Sequence, residues 1–207
     1  MGEPGELLYD VAYPDRLSRG LIFVKWLLAI PHLVILYFLS IAVAVVSVIA
    51  WFAILFTGKY PRGMWDFSMM TLRWTARVHA YAGLMRDEYP PFGDEAYPTR
   101  FAAIYPEQLS RWKIFVKWLL IIPHLIIVYL LNILWSIVTF IAWFAILFTG
   151  NYPKGLFDVA VGCNRWSYRV TLYIMLLSDV YPPFEMGPDP VPPSDYAPLP
   201  STALGSA

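Results

Sequence analysis

The residues best suited to chemistry in this sequence are two arginine pairs, Arg73 with Arg77 and Arg165 with Arg169. Each pair is four residues apart and so shares a helix face. Asp66 and Asp158, seven residues before the first arginine of each pair, fall on that face too. A guanidinium donates two parallel hydrogen bonds, which suits a lipid phosphate or a carboxylate on a neighbouring helix. At the centre of a bilayer an arginine costs about 2.5 to 3.5 kcal/mol, so two per helix must face a bundle interior, water or lipid phosphate. Three readings stay open: charges that pair and fix helix packing, a site for anionic lipid, and an interfacial helix whose arginines are solvated.

A second constellation is Lys25, Pro31 and His32, which returns as Lys117, Pro123 and His124. Proline removes a helical N–H and bends the chain, and an adjacent histidine can cap the freed carbonyls. Neither histidine has a histidine, cysteine or carboxylate at a ligand spacing nearby, so a helix-bend and interface role is expected and no metal site is. The nucleophile elbow, the phosphate-binding glycine loop, H-E-x-x-H and C-x-x-C are all missing from the sequence. The expectation is a protein that is not an enzyme and carries no cofactor. Cys163 is the one cysteine, lies in an apolar stretch and reads as packing.

These residues recur because the chain repeats itself. Residues 13–92 return at 105–184, an offset of 105 − 13 = 92, and WFAILFTG at Trp51 to Gly58 recurs letter for letter at Trp143 to Gly150. Both copies end on Tyr-Pro-Pro-Phe, at Tyr89 and Tyr181. The chain is 58% hydrophobic and 14% charged, and the apolar residues are concentrated. From Leu21 to Phe56 the only strongly polar side chains are Lys25 and His32. Such a run reads as membrane-embedded. Lys and Arg total 15 against 15 Asp and Glu, with no basic run, so nucleic acid is not an expected partner.

Thirty-six apolar residues make about 54 Å of helix against a hydrocarbon core of about 30 Å, so a bend at Pro31 and Pro123 is expected. Residues 16–30 then form a leading helix at the interface, and a span follows from Pro31. Gly58 and Gly150 stop it, and Pro61 and Pro153 start a second helix, expected over 64–85 and 156–177. The expected fold is an all-α integral membrane protein: two tandem parallel repeats, each a proline-bent leading helix plus an antiparallel pair of transmembrane helices. That gives four spans in total, with the repeats facing alike about an axis along the membrane normal. A competing threading turns the apolar run into a hairpin near Ser40 and Asn132 and lays the following helix flat on the membrane. The expected units are an N-terminal segment (1–12), repeat 1 (13–92), a linker (93–104), repeat 2 (105–184) and a disordered proline-rich tail (185–207). Basic residues cluster on the terminal side, which places both termini in the cytoplasm. Seven Tyr-Pro steps, among them Tyr13, Tyr60, Tyr105 and Tyr152, mark segment edges and read as membrane boundaries.

With the motifs assembled, FVKWLL, IPH, FTG-x-YP, Arg-Trp and YPPF, the chain resembles an uncharacterised bacterial membrane family known only as a domain of unknown function. The resemblance covers both repeats and implies no activity, cofactor or functional residue. The functional expectation is a multi-pass inner-membrane scaffold or accessory subunit whose arginine face packs helices or binds anionic lipid, with a membrane-protein partner or a second copy as possible company. The alternative is a small lipid-handling protein or transporter with a pathway at the repeat interface.

Overall fold

A computed structural model describes residues 7–92 and 95–188. The expected disordered tail lies, from residue 189 on, outside the described residues. Five helices dominate: α1 (Lys25–Thr57), α2 (Arg62–Ala82), α3 (Lys113–Leu120), α4 (Ile122–Thr149) and α5 (Lys154–Ile174). Two short strands, β1 (Leu7–Val11) and β2 (Thr99–Ala103), pair antiparallel. The all-α expectation is corrected here: segments assigned to an N-terminal stretch and a linker form a ribbon. These strands are also repeat equivalents, since 99 − 7 = 92, so each structural unit begins before Tyr13.

α1 forms because no formal charge lies between Lys25 and Lys59, leucine and alanine recur through the interval, and Pro31 is the one strong breaker in it. Gly58 ends it in the left-handed region, φ 72°, with its N–H on the Ile54 carbonyl. Gly150 ends α4 the same way at φ 76°. Pro31 lies inside α1 without ending it, whereas Pro123 occupies the first turn of α4, directly after α3 stops. The proline break is therefore realised in one repeat only. The expected leading helix is corrected as well: Arg16 and Arg19 precede any helix, and α1 starts only after a 3-10 turn at Leu21–Phe23.

Among the described residues two helices, α1 and α4, are long and apolar enough to cross a membrane, in place of the four expected. α2 and α5 were expected to be spans, but they carry Asp66, Arg73, Arg77 and His79, and Asp158, Arg165 and Arg169, in only 21 residues each. They are amphipathic and pack along α1 and α4 respectively. The buried stripe of α1 is Lys25, Ala29, His32, Leu36, Val43, Ala50 and Ile54, with spacings of three, four and seven residues. The rest of its circumference is exposed and apolar; Trp26 is 66% exposed and Phe56 73%.

The repeats do not face alike. Phe23, beside the N-terminus of α1, packs edge-on against Trp143 near the C-terminus of α4, and Trp51 near the C-terminus of α1 packs against Phe115 in α3. The two long helices therefore run in opposite directions. The ribbon agrees: Tyr9 pairs with Phe101, its own equivalent, at the centre of an antiparallel register. A pseudo-twofold axis passes through that pair, perpendicular to the strands and to the long helices. Along it lie the ribbon, the α2 and α5 layer, and the α1 and α4 layer. The main core joins Tyr9, Phe101 and Tyr168 to Leu72 and Ala76 where these layers meet.

The arms before α1 and α3 are exchanged. Leu17 N–H donates to the Gly150 carbonyl at 2.9 Å and Leu109 N–H to the Gly58 carbonyl at 2.8 Å. The Tyr13 hydroxyl donates to the Tyr152 carbonyl, and the Tyr105 hydroxyl to the Tyr60 carbonyl. These Tyr-Pro steps thus hold one repeat to the other.

Candidate functional site

Each repeat closes on itself through the same buried clasp. Lys25 Nζ lies 2.7 Å from Asp87 Oδ1 and donates to the Arg86 carbonyl at 2.7 Å, while the Ser18 N–H donates to Asp87 Oδ2 at 2.6 Å. In the second copy Lys117 pairs with Asp179 at 2.7 Å and donates to the Ser178 carbonyl at 2.6 Å, and the Ser110 N–H donates to Asp179 at 2.6 Å. The lysines are 1% and 2% exposed, so both ammonium groups have left water and depend on these partners. Asp87 and Asp179, which the sequence suggests are ordinary solvated carboxylates, are members of the site. What the sequence shows is only that a lysine and an aspartate 62 residues apart are both kept in the second copy, 87 − 25 and 179 − 117.

The histidines are buried beside the clasp, seven residues after the lysines. The Trp74 indole donates to His32 Nδ1 at 3.0 Å, and the Trp166 indole to His124 Nδ1 at 3.2 Å. An indole N–H can only donate, so each Nδ1 is unprotonated and the proton sits on Nε2. Phe92 stacks on His32 and Phe184 on His124, both at 4.2 Å between ring centroids. The Tyr89 and Tyr181 hydroxyls reach the Leu28 and Leu120 carbonyls, so the Tyr-Pro-Pro-Phe motif is the far half of the clasp. Both histidines thus meet indole and aromatic partners, where the sequence suggests carbonyl capping beside the proline.

The arginine pairs lie mid-way along α2 and α5. Arg165 Nε donates to the Tyr9 carbonyl at 3.1 Å and its Nη1 to the Met186 carbonyl at 2.8 Å. Arg169 donates to the carbonyls of Glu185 and Gly187, both at 2.8 Å. Backbone oxygens of β1 and of the segment after Phe184 thus occupy the guanidinium donors. Arg77 is buried and Arg73 half-buried in the equivalent positions of α2. Asp66 and Asp158 are exposed and form i,i+4 ion pairs with Arg62 and Lys154.

A third assembly was invisible in the sequence. Between the helix layers, on the axis, lies a cavity of about 410 Å³. The Tyr168 hydroxyl is 2.9 Å from His79 Nδ1 there, and Trp135 of α4 lies beside His79. Burial pushes the His79 imidazole below its usual range and the Tyr168 phenol well above its own, so both are neutral. His79 has Thr171 as its repeat counterpart, so no repeat argument could single it out.

An internally duplicated helical protein, with one long apolar helix and one buried Lys-Asp clasp per repeat, is the class that this fold and site define. The chain belongs to the family described as Domain of unknown function (DUF4389), which matches it twice, over residues 19–93 and 111–185. Those segments again start 111 − 19 = 92 residues apart, and they contain both clasps. No curated protein and no solved structure matches the chain.

Proposed function

We propose that this protein is a non-enzymatic scaffold or accessory subunit embedded in one leaflet of a membrane, with α1 and α4 lying along the bilayer and the ribbon, α2 and α5 facing water. The observation that carries this reading is the distribution of polarity along the pseudo-twofold axis. One end of the axis is the exposed apolar surface of two antiparallel helices; the other holds the ribbon with Asp10 opposite Arg100 and the central arginines of α5. Standing upright, α1 would be about 50 Å long in a core of about 30 Å. Its middle, with the ribbon and Arg165 beside it, would then sit at the depth where charge is most costly. Lying down, it buries its apolar side in hydrocarbon and leaves the charges in water.

Basic residues ring the ends of the helix layer. Arg16, Arg19 and Lys154 at one end and Lys59, Arg62, Arg111 and Lys113 at the other are all exposed. At headgroup depth they attract anionic lipid, which favours the cytoplasmic leaflet of a bacterial inner membrane. The water-facing side is then free to hold a membrane-protein partner or a second copy. Impermeant thiol labelling of Lys59→Cys, Glu95→Cys and Asn151→Cys in sealed vesicles tests the orientation. The expected outcome is labelling of all three from one side. Four parallel spans would put 95 opposite 59 and 151, and upright antiparallel helices would separate 59 from 151.

A further inference from the structure

We infer that the cavity on the pseudo-twofold axis is a binding site for one uncharged amphiphile taken from the lipid phase, with a hydroxyl or carbonyl oxygen at its head. The floor is built by α1 and α4, through Val43 and Trp135, and the roof by α2 and α5, through Thr75 and Tyr168. Ser40, Leu125 and Asn132 line it and are also exposed, which places its mouth between the two long helices, on the apolar face. At about 410 Å³ it is in the range of small-molecule sites.

The lining selects the ligand. It includes no aspartate, glutamate, lysine or arginine among the described residues, so an ionised headgroup would enter without a counter-charge. Trp135 Nε1–H is buried and has no acceptor among the described residues. An indole can only donate, so what it lacks is an oxygen acceptor. Hydroxyls of the lining are already committed as donors: Thr75 to the Thr71 carbonyl at 2.8 Å and Ser167 to the Cys163 carbonyl at 2.9 Å. Their lone pairs remain to accept from a hydroxyl head.

Divergence between the repeats points to the same place. The lysine and aspartate of the clasp are the same in both copies, but around the axis Val43 faces its counterpart Trp135, Leu72 becomes Asn164, and Ala76 becomes Tyr168. Simple packing explains part of this. A side chain on Gly83 would come within 2.7 Å of the Trp135 ring, so the large ring fills space that a glycine leaves. Two of the changes are partnered within the chain, the Asn164 amide donating to the Tyr9 hydroxyl at 3.4 Å and the Tyr168 hydroxyl meeting His79, while the Trp135 indole has no acceptor among the described residues. Together these changes gather Trp135, His79 and Tyr168 into one polar pole, which gives a single ligand one orientation in an otherwise twofold chamber.

The test uses the full chain in liposomes of phosphatidylethanolamine and phosphatidylglycerol with a monoacylglycerol carrying a diazirine in its tail. Saturable cross-linking to the segments around residues 40–43 and 132–135, competed by unlabelled monoacylglycerol, is expected. Trp135→Phe keeps a six-membered aromatic ring but removes the donor, and saturable labelling should fall roughly two- to tenfold, the loss of one hydrogen bond. Thr75→Phe fills the cavity and should abolish it; if that variant does not fold, Trp135→Phe decides. Labelling that is unsaturable, spread over the outer faces of α1 and α4 and unchanged in Trp135→Phe would overturn the inference, as would equal competition by phosphatidic acid. Orientation in the bilayer is read separately by the thiol labelling.

Discussion

At the scale of single residues, the two lysines carry the most exposed risk. Lys25 and Lys117 are buried cations whose partners are a carboxylate and a carbonyl, and removing one member of such a pair leaves the other unpaired. Lys25→Met and Lys117→Met should each destabilise the protein by about 3 to 5 kcal/mol. Thermal unfolding in mild detergent checks this, and both variants should fall in that range because each lysine has an aspartate and a backbone carbonyl as partners. In the sequence Lys25 and Lys117 were legible as special, while their partners were not. A contact across 62 residues has no local period, and the repeat keeps every spacing alike, so it singles out no pair. Trp74 and Trp166 were visible beside the arginines, but nothing in the order of residues says that their indoles turn to the histidines.

At the scale of elements, the exchanged arms predict an effect that duplication makes easy to read. Tyr13 and Tyr105 each donate one hydroxyl across the repeat boundary, so Tyr13→Phe and Tyr105→Phe should each cost about 0.5 to 1.5 kcal/mol. The two bonds lie at opposite ends of the antiparallel long helices and share no partner, which argues for additivity in the double variant, measured in the same unfolding assay. The long apolar helices were legible from composition alone, because a run from Leu21 to Phe56 whose one formal charge is Lys25 has few alternatives. The ribbon was not, for a physical reason: LLYDV and TRFAA share no letter at equivalent positions, and five residues show too little alternation to announce a strand. α2 and α5 were read as spans from their length and the tight glycine turn before them. Length permits a crossing, but the mid-helix arginines weigh against one, and the backbone oxygens that receive Arg165 and Arg169 come from segments that local pattern cannot place.

At the scale of the whole molecule, the axis determines what half a chain can do. Each repeat carries an arm whose acceptor, Gly58 or Gly150, belongs to the other repeat. A chain of residues 1–98 therefore holds one arm and one acceptor, and two such chains related by a true twofold can satisfy both. Expressed alone, it should form a dimer in detergent, with light scattering giving twice the mass of a single half; a monodisperse monomer would show that the arms contribute little. The direction of the repeats was the part of the fold least available from sequence, since a pattern of letters is the same whether its second copy faces forward or back.

The exchange also sets a timetable. The Gly150 carbonyl that receives the Leu17 N–H is synthesised 150 − 17 = 133 residues after it. At about 5 to 20 residues per second, the leading arm waits on the order of ten seconds for its acceptor. During that interval the emerging half presents an unmatched arm next to a hydrophobic rod, the state in which wrong pairing with a neighbouring nascent chain competes with the right one. Early capture of α1 by lipid would hold that half in place until its sister arrives.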